Sequence, residues 1–202
     1  MKTSCQFFKR NYRIIFLLFL LSPVNFFNVP LSKAYPKIHT QKTKSNFRVV
    51  GYYSLKSAME TDLKAFPFEL LTHINLYFLN PDTLGNFNQD LSRLAPFIEA
   101  AHKNHVKVIP SIAGGSQHPY YHALLRDDKR AKFINDLLQI VLNYNFDGID
   151  VDIEGSDIDE NYESFAVDLT RVFHDHNKLV TAAIAVFYKD VLAIELCSNM
   201  IL

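Results

Sequence analysis

Between Phe146 and Gly155 the chain reads Phe-Asp-Gly-Ile-Asp-Val-Asp-Ile-Glu-Gly, with four carboxylates, at Asp147, Asp150, Asp152 and Glu154. Three of them recur at every second position between apolar residues. A β-strand sends successive side chains to opposite faces, so Asp150, Asp152 and Glu154 are expected on one face, with Ile149, Val151 and Ile153 on the other. Asp147, an odd number of residues before Asp150, has the opposite parity, and a structural place near the strand start competes with a role at the site. Like charges about 5 Å apart repel by roughly 3 kcal/mol at an effective dielectric near 20, which is about two pKa units. At least one acid of the row is therefore expected to keep its proton well above its solution pKa. A carboxyl group that holds a proton near neutral pH is a ready general acid.

Other readings of the same residues are weaker. Asp150-x-Asp152-x-Glu154-Gly155 imitates the opening of an EF-hand calcium loop, but the twelfth position is Asn161 where a bidentate Glu is required, and Gly148-Ile149 reads as strand. His118 and His122 have helical metal spacing without a surrounding H-E-x-x-H. Neither a metal nor a cofactor is expected.

The elements that must position these acids follow from the apolar periodicity. Five strands are predicted, at Arg48–Tyr53, His73–Leu79, Val106–Ile112, Gly148–Ile153 and Leu179–Val186, and runs this apolar suit parallel strands covered on both faces. A helix capped by Asp127 or Asp128 carries Phe133, Ile134, Leu137, Leu138, Val141 and Leu142 on one stripe. Tyr162, Phe165, Ala166, Leu169, Val172 and Phe173 form a second stripe. Leu91–His102 is a third, with Pro96 placed best near its first turn. Strand and helix alternate every ~25–40 residues, the rhythm of βα units around a parallel sheet. No G-x-G-x-x-G follows any strand, which disfavours a dinucleotide-binding sheet.

Composition sets the surroundings. Lys2, Lys9, Arg10 and Arg13 precede the unbroken apolar run Ile14–Leu21, and Ser32-Lys33-Ala34 supplies small residues for a peptidase, so residues 1–34 read as a cleaved signal peptide. An uncleaved membrane anchor is the alternative; Ser22, Pro23, Asn25 and Asn28 interrupt the ~20 apolar residues that a span requires. Residues 35–46 read as a flexible spacer, and residues 47–202 as one folded domain. The whole chain has 21 basic and 21 acidic residues, and five of the basic ones lie in the leader, leaving the exported part at a net −5. It has no basic field for nucleic acid and, once the leader is removed, no membrane segment. Removing the leader also removes Cys5 and leaves Cys197 alone, so no internal disulfide is expected.

The pattern D-x-x-D-x-D-x-E, with Gly148 after the first acid, resembles the signature of glycoside hydrolase family 18, the chitinases and endo-β-N-acetylglucosaminidases. Ser111-Ile112-Ala113-Gly114-Gly115 resembles the family's S-x-G-G at the end of the third barrel strand, with Ala113 preceding the two glycines as a departure from that pattern. The resemblance runs from about Arg48 to Ala185. It implies a (β/α)₈ TIM-type barrel and a secreted glycosidase acting on β-1,4-linked N-acetylglucosamine in chitin or the chitobiose core of N-glycans. It also implies a substrate-assisted, retaining reaction, in which the acetamido carbonyl of the sugar is the nucleophile, an exception to the two-carboxylate scheme. By position, Glu154 matches the general acid, Asp152 the acid that orients the acetamido group, and Asp150 the deeper acid that shares its proton. Tyr52 and Ser111 match residues that hydrogen-bond the inner aspartate. Gly114, Gly115 and Asp147 belong to the matched motifs, and Tyr120 and Tyr121 are candidate sugar-stacking residues.

The chain also departs from the family. Ile153 and Gly155 stand where many chitinases carry Trp and Tyr, and the chain has no Trp. The family's Tyr on the sixth strand and Trp on the eighth have no counterpart after the fifth predicted strand. With 168 residues following the leader, against ~250 for a complete barrel, the expectation is a barrel truncated after about five βα units. Two alternatives to the enzyme follow: a non-catalytic glycan-binding relative, which would usually lack the terminal Glu, and an inactive fragment.

Overall fold

Each predicted strand has a counterpart in the computed structural model, which describes residues 47–183. The expected leader and spacer, Cys197 and the continuation of the fifth strand toward Val186 lie outside the described residues. In chain order the elements are β1 (Val50–Ser54), α1 (Leu55–Ala58), β2 (His73–Tyr77), α2 (Ala95–Lys103), β3 (Lys107–Ala113), α3 (Tyr120–Leu124), α4 (Asp127–Asn143), β4 (Gly148–Asp152), α5 (Tyr162–Asp175) and β5 (Leu179–Ala182), with 3₁₀ turns at Phe68–Leu70, Ser92–Leu94 and Gly155–Asp157. The five strands pair in parallel and in chain order, β1-β2-β3-β4-β5. Periodicity alone does not distinguish a barrel from a doubly wound sheet. Strand order does, because a doubly wound sheet reverses direction at a switch point, whereas a β/α barrel advances one strand at a time. The described residues form the first part of a TIM-type barrel.

The outer face of the sheet is apolar and covered. Ile74, Leu76, Val108, Ile112, Ile149, Val151 and Val180 are all buried, with α2 packed on β3, α4 on β4 and α5 on β5. Phe133 on α4 is central to this layer: its ring stacks on Phe165 of α5 at 6.0 Å and meets Tyr121 of α3 edge-on at 6.0 Å. Register places Tyr52 beside Asn75, Ser111 beside Asp150, and Asp150 beside Thr181. These polar residues line the inner face.

Three helices end in the same way. His105, Asn145 and Asn177 each adopt a left-handed φ, of 61°, 57° and 56°. The next amide then bonds back to the helix, Val106 N–H to Ala101 O, Phe146 N–H to Val141 O and Lys178 N–H to Phe173 O, each at 2.9 Å. This is the six-to-one closure of a Schellman turn, and it delivers the chain directly into β3, β4 and β5.

Several expectations are corrected. Asp127 and Asp128 lie in the first turn of α4, and its cap position is Arg126, which makes no side-chain cap bond. Asp127 instead pairs with Arg130 at 2.7 Å. Leu142, expected on the buried stripe, is 40% exposed. Pro96 falls in the first turn of α2, as its missing N–H requires. Asp147 sits at the N-terminal end of β4, five residues and about 16 Å of strand from Asp152. Its Oδ2 accepts from the Val108 amide at 2.7 Å and contacts His102 Nε2 at 2.8 Å. It fastens the start of β4 to β3 and α2, and the structure does not bring it to the other acids.

Gly148 is where β4 meets β5 most closely: a β-carbon there would lie 2.2 Å from the Leu179 carbonyl oxygen. Gly148→Ala must part the two backbones, and a loss of at least about 2 kcal/mol is expected. At Gly51 the nearest atom to an added β-carbon is the Leu71 side chain at 3.2 Å, so Gly51→Ala should cost less. Urea unfolding of the two variants beside the native chain checks the order.

Candidate active site

Asp150 is 1% exposed, and a buried carboxylate needs donors in place of the water it has lost. Hydroxyls from three strands supply them. Tyr52 of β1 donates to Oδ2 at 2.9 Å, Ser111 of β3 donates to Oδ2 at 2.7 Å, and Thr181 of β5 donates to Oδ1 at 2.5 Å. Burial first, and then the neighbouring Asp150 charge, push the Tyr52 phenol well above its ordinary value, so it remains a donor. The carboxylate thereby ties β4 to the first and last described strands.

Asp152 lies one inward position nearer the strand's C-terminal end, where barrel sites form. Burial, then the charges of Glu154 and Asp150, raise its carboxyl to about 6. Glu154 follows the end of β4 but keeps an extended backbone, φ −133° and ψ 160°, so the alternation continues past the strand. Ile153 stays buried while Glu154 is exposed. The acidic row is thus graded from a buried acid through a half-buried one to an acid open to solvent.

A cleft of about 390 Å³ opens beside the row, lined by Gly114, Gly115, Ser116, Gln117, Asp152, Glu154 and Gly155. Its size suits a small ligand. Among the described residues its lining has two carboxylates and no cation, unfavourable for an anionic ligand. Gly114 is needed there for two reasons. Its φ is +62°, and a β-carbon on it would fall 2.1 Å from the Phe78 ring and 2.3 Å from Asp152 Oδ2. The bare backbone lets the third-strand loop close on Asp152, and the Gly114 amide donates to the Asp152 carbonyl at 3.0 Å. Gly115, φ +73°, has the Phe78 ring 3.0 Å from the corresponding point.

The two tyrosines of the third-strand loop separate. Tyr121 is fully buried, so it has no face to offer a sugar, and the expectation of a stacking residue is corrected. Its hydroxyl donates to Asn80 Oδ1 at 2.9 Å and accepts from the Ala113 amide at 3.1 Å. Tyr120 stacks on Tyr121 at 5.1 Å, is packed against the core and does not line the cleft. His118 and His122 also go elsewhere: His118 Nε2 lies 3.1 Å from Gly114 O, and His122 Nε2 lies 2.9 Å from Ser156 O. Among the described residues no group of three or more His, Cys, Asp or Glu side chains could hold a metal.

Sequence reasoning missed Thr181, Asn80 and Asp157. Asn80 Oδ1 accepts from the Ala113 amide at 2.6 Å while its Nδ2 donates to the Ala113 carbonyl at 3.0 Å. Asp157, 3% exposed, accepts from the His118 amide at 2.5 Å. Their contacts join residues more than 30 positions apart and leave no local signal, although Asn80 could be read as a strand breaker.

A parallel sheet advancing in chain order, with acids graded along one strand toward its C-terminal end, is the arrangement of a β/α-barrel site. Residues 48–200 match the model of the family described as Glycosyl hydrolases family 18, and the chain belongs to that family. It is 31% identical over 115 residues to a chitinase-like effector of Moniliophthora perniciosa, a match covering 54% of this chain and 26% of that protein. Among solved structures, the family 18 chitinase ChiB of Flavobacterium johnsoniae aligns with a TM-score of 0.64 and 28% identity over 76% of this chain and 51% of that one. A family 18 chitinase of Cycas revoluta, in complex with (GlcNAc)₃, aligns with a TM-score of 0.64 at 20% identity over 76% of this chain and 53% of that one, a likeness of fold. The chain spans about a quarter of the effector's length and about half of each chitinase chain.

The raised Asp152 has a consequence for stability. Its folded pKa exceeds the unfolded value of about 3.9, so between about pH 4 and pH 6 the native state binds more protons than the unfolded one. The contribution of this group to stability therefore falls as pH rises across that window. In Asp152→Asn the group no longer titrates. Urea unfolding at pH 4.5 and pH 7 should show the variant gaining on the native chain as pH rises, and parallel profiles would contradict the assignment.

Proposed function

We propose that the protein is an exported glycoside hydrolase, its leader at residues 1–34 removed, that cleaves β-1,4-linked N-acetylglucosamine in chitin or a related glycan. The observation that carries this reading is the graded acidic row beside the cleft. Asp152, raised to about 6, holds a proton at mildly acidic pH and can donate a hydrogen bond to a substrate acetamido group. Glu154, on the open side, gives a proton to the leaving glycosidic oxygen. Asp150 stays fixed by its three hydroxyl donors and lends its charge to Asp152. No described carboxylate is assigned as nucleophile. The acetamido oxygen of the sugar attacks its own anomeric carbon as the glycosidic C–O bond breaks and the leaving oxygen takes the Glu154 proton. Water then opens the oxazolinium ion with retention and returns a proton to Glu154. The tether supplies an effective molarity of ~10⁵ M or more. A neutral sugar also suits a cleft lined by carboxylates without a cation.

A non-catalytic, glycan-binding role is the second reading, favoured by the likeness to a chitinase-like effector and opposed by the retained Glu154. Turnover of a labelled chito-oligosaccharide by the full chain decides between them. Under the enzymatic reading Glu154→Gln lowers turnover by roughly 10²–10⁴, the usual share of general-acid catalysis, while sugar affinity changes little. Equal turnover of native chain and variant would contradict that reading, and sugar binding with no turnover in either would establish the second.

A further inference from the structure

Asp157 is a buried carboxylate that the proposed chemistry does not use. It closes the 3₁₀ turn Gly155–Asp157 immediately after Glu154 and is 3% exposed. Among the described residues no Lys or Arg pairs with it. Its Oδ2 instead accepts the backbone amide of His118 at 2.5 Å, across 39 residues of chain. Burying an acid without a cation is costly, and this bond joins the two loops that form opposite walls of the cleft. The third-strand loop supplies Gly114, Gly115, Ser116 and Gln117, and the fourth-strand loop supplies Glu154 and Gly155.

The remaining contacts of the third-strand loop show why the far end needs this anchor. Its near end is held by Asn80 and Tyr121 on the Ala113 peptide. From there Gly114 and Gly115 both run through left-handed conformations, so two adjacent residues with unusual backbone freedom lead to Ser116 and Gln117, which are exposed. The His118 ring reaches back to Gly114 O at 3.1 Å, closing the loop on itself but not onto the opposite wall. A second crossing bond, from His122 Nε2 to Ser156 O at 2.9 Å, lies on the side chain of α3, and on the loop backbone the Gly114 amide bonds the Asp152 carbonyl at 3.0 Å, at the near end.

We propose that Asp157 is a positioning residue that sets the width of the cleft, its carboxylate drawing the third-strand loop across to the fourth-strand loop so that Gly114 stays closed over Asp152. Releasing the His118 amide leaves the far end of the loop backbone without its tether, so that the loop swings on the two glycines against the single Gly114–Asp152 backbone bond. Water then reaches Asp152, and the wall opposite Glu154 loses its fixed distance. The residue touches no substrate, and its effect travels through the loop backbone.

The sugar-binding arm of the test rests on the proposed function, and two arms do not. In the full chain, Asp157→Ala removes the acceptor, Asp157→Ser is too short to reach the amide while remaining polar, and Asp157→Asn keeps an oxygen in place. Backbone NMR should show the His118 amide exchanging at least ~10-fold faster in the Ala and Ser variants. Carbon-detected titration should show the Asp152 midpoint falling toward the ordinary carboxylate range in both, because burial is the first cause of its elevation, while Asp157→Asn restores both readouts. Chitotetraose, if bound by the native chain, should bind ~10-fold more weakly to the Ala and Ser variants. A His118 amide equally protected in all forms, or an Asp152 midpoint unmoved by loss of the acceptor, overturns the proposal. A native chain that binds no sugar overturns the functional reading alone, because exchange and titration still judge the role of Asp157. Should Asp157→Ala fail to fold, Asp157→Ser and Asp157→Asn give the same comparison.

Discussion

The site depends on one buried carboxylate being satisfied by hydroxyls that come from three strands. Asp150 has exchanged water for Tyr52, Ser111 and Thr181. Each bond to an ionised acceptor is stronger than its neutral counterpart, and losing a partner leaves a charged group short of donors in a dry place. These residues lie far apart in the sequence and meet only when β1, β3, β4 and β5 hold their places in the sheet. The strand order and register of the fold therefore appear at the site as a single hydrogen-bonding condition on Asp150.

From that anchor the rest of the row follows. A fixed charge on the inner face makes a second charge two residues along the strand unfavourable, and closure of the third-strand loop over Asp152 adds desolvation, the larger effect. Gly114 permits the closure because a side chain there would collide with both Phe78 and Asp152. Glu154 lies beyond the strand end, exposed in the open part of the cleft. One short stretch of chain, β4 and the residues just after it, thus holds three acids in three environments, and the difference between them is the usual means by which similar groups take different roles in proton transfer.

The sequence made the acidic row legible because its period of two matches the geometry of a strand, and the same parity argument marked Asp147 as the odd member, now found at the opposite end of β4. The βα rhythm was legible from apolar stripes, although periodicity could not choose between a barrel and an open sheet; that needed the observed strand order. Tyr121 was misplaced because two adjacent tyrosines in a polar stretch look alike. Yet Tyr121, Leu124 and Leu125 recur at helical spacing and are all buried, a signal strong enough to have put Tyr121 in the core. Thr181, Asn80 and Asp157 left no comparable trace. Thr181 sits in an apolar strand where its hydroxyl has no local purpose, and Asn80 and Asp157 act on backbone groups more than 30 residues away, contacts that only the folded topology creates.

The central claim is that Asp150, fixed in the sheet, helps to keep a proton on Asp152. The most direct measurement is a carbon-detected NMR titration of the Asp152 carboxyl in the full chain, with Asp150 intact and with Asp150→Asn. The account predicts a midpoint near 6 in the native chain and a lower one once the Asp150 charge is gone. An Asp152 that titrates like a solvent-exposed aspartate in the native chain, or whose midpoint ignores the Asp150 substitution, would contradict it.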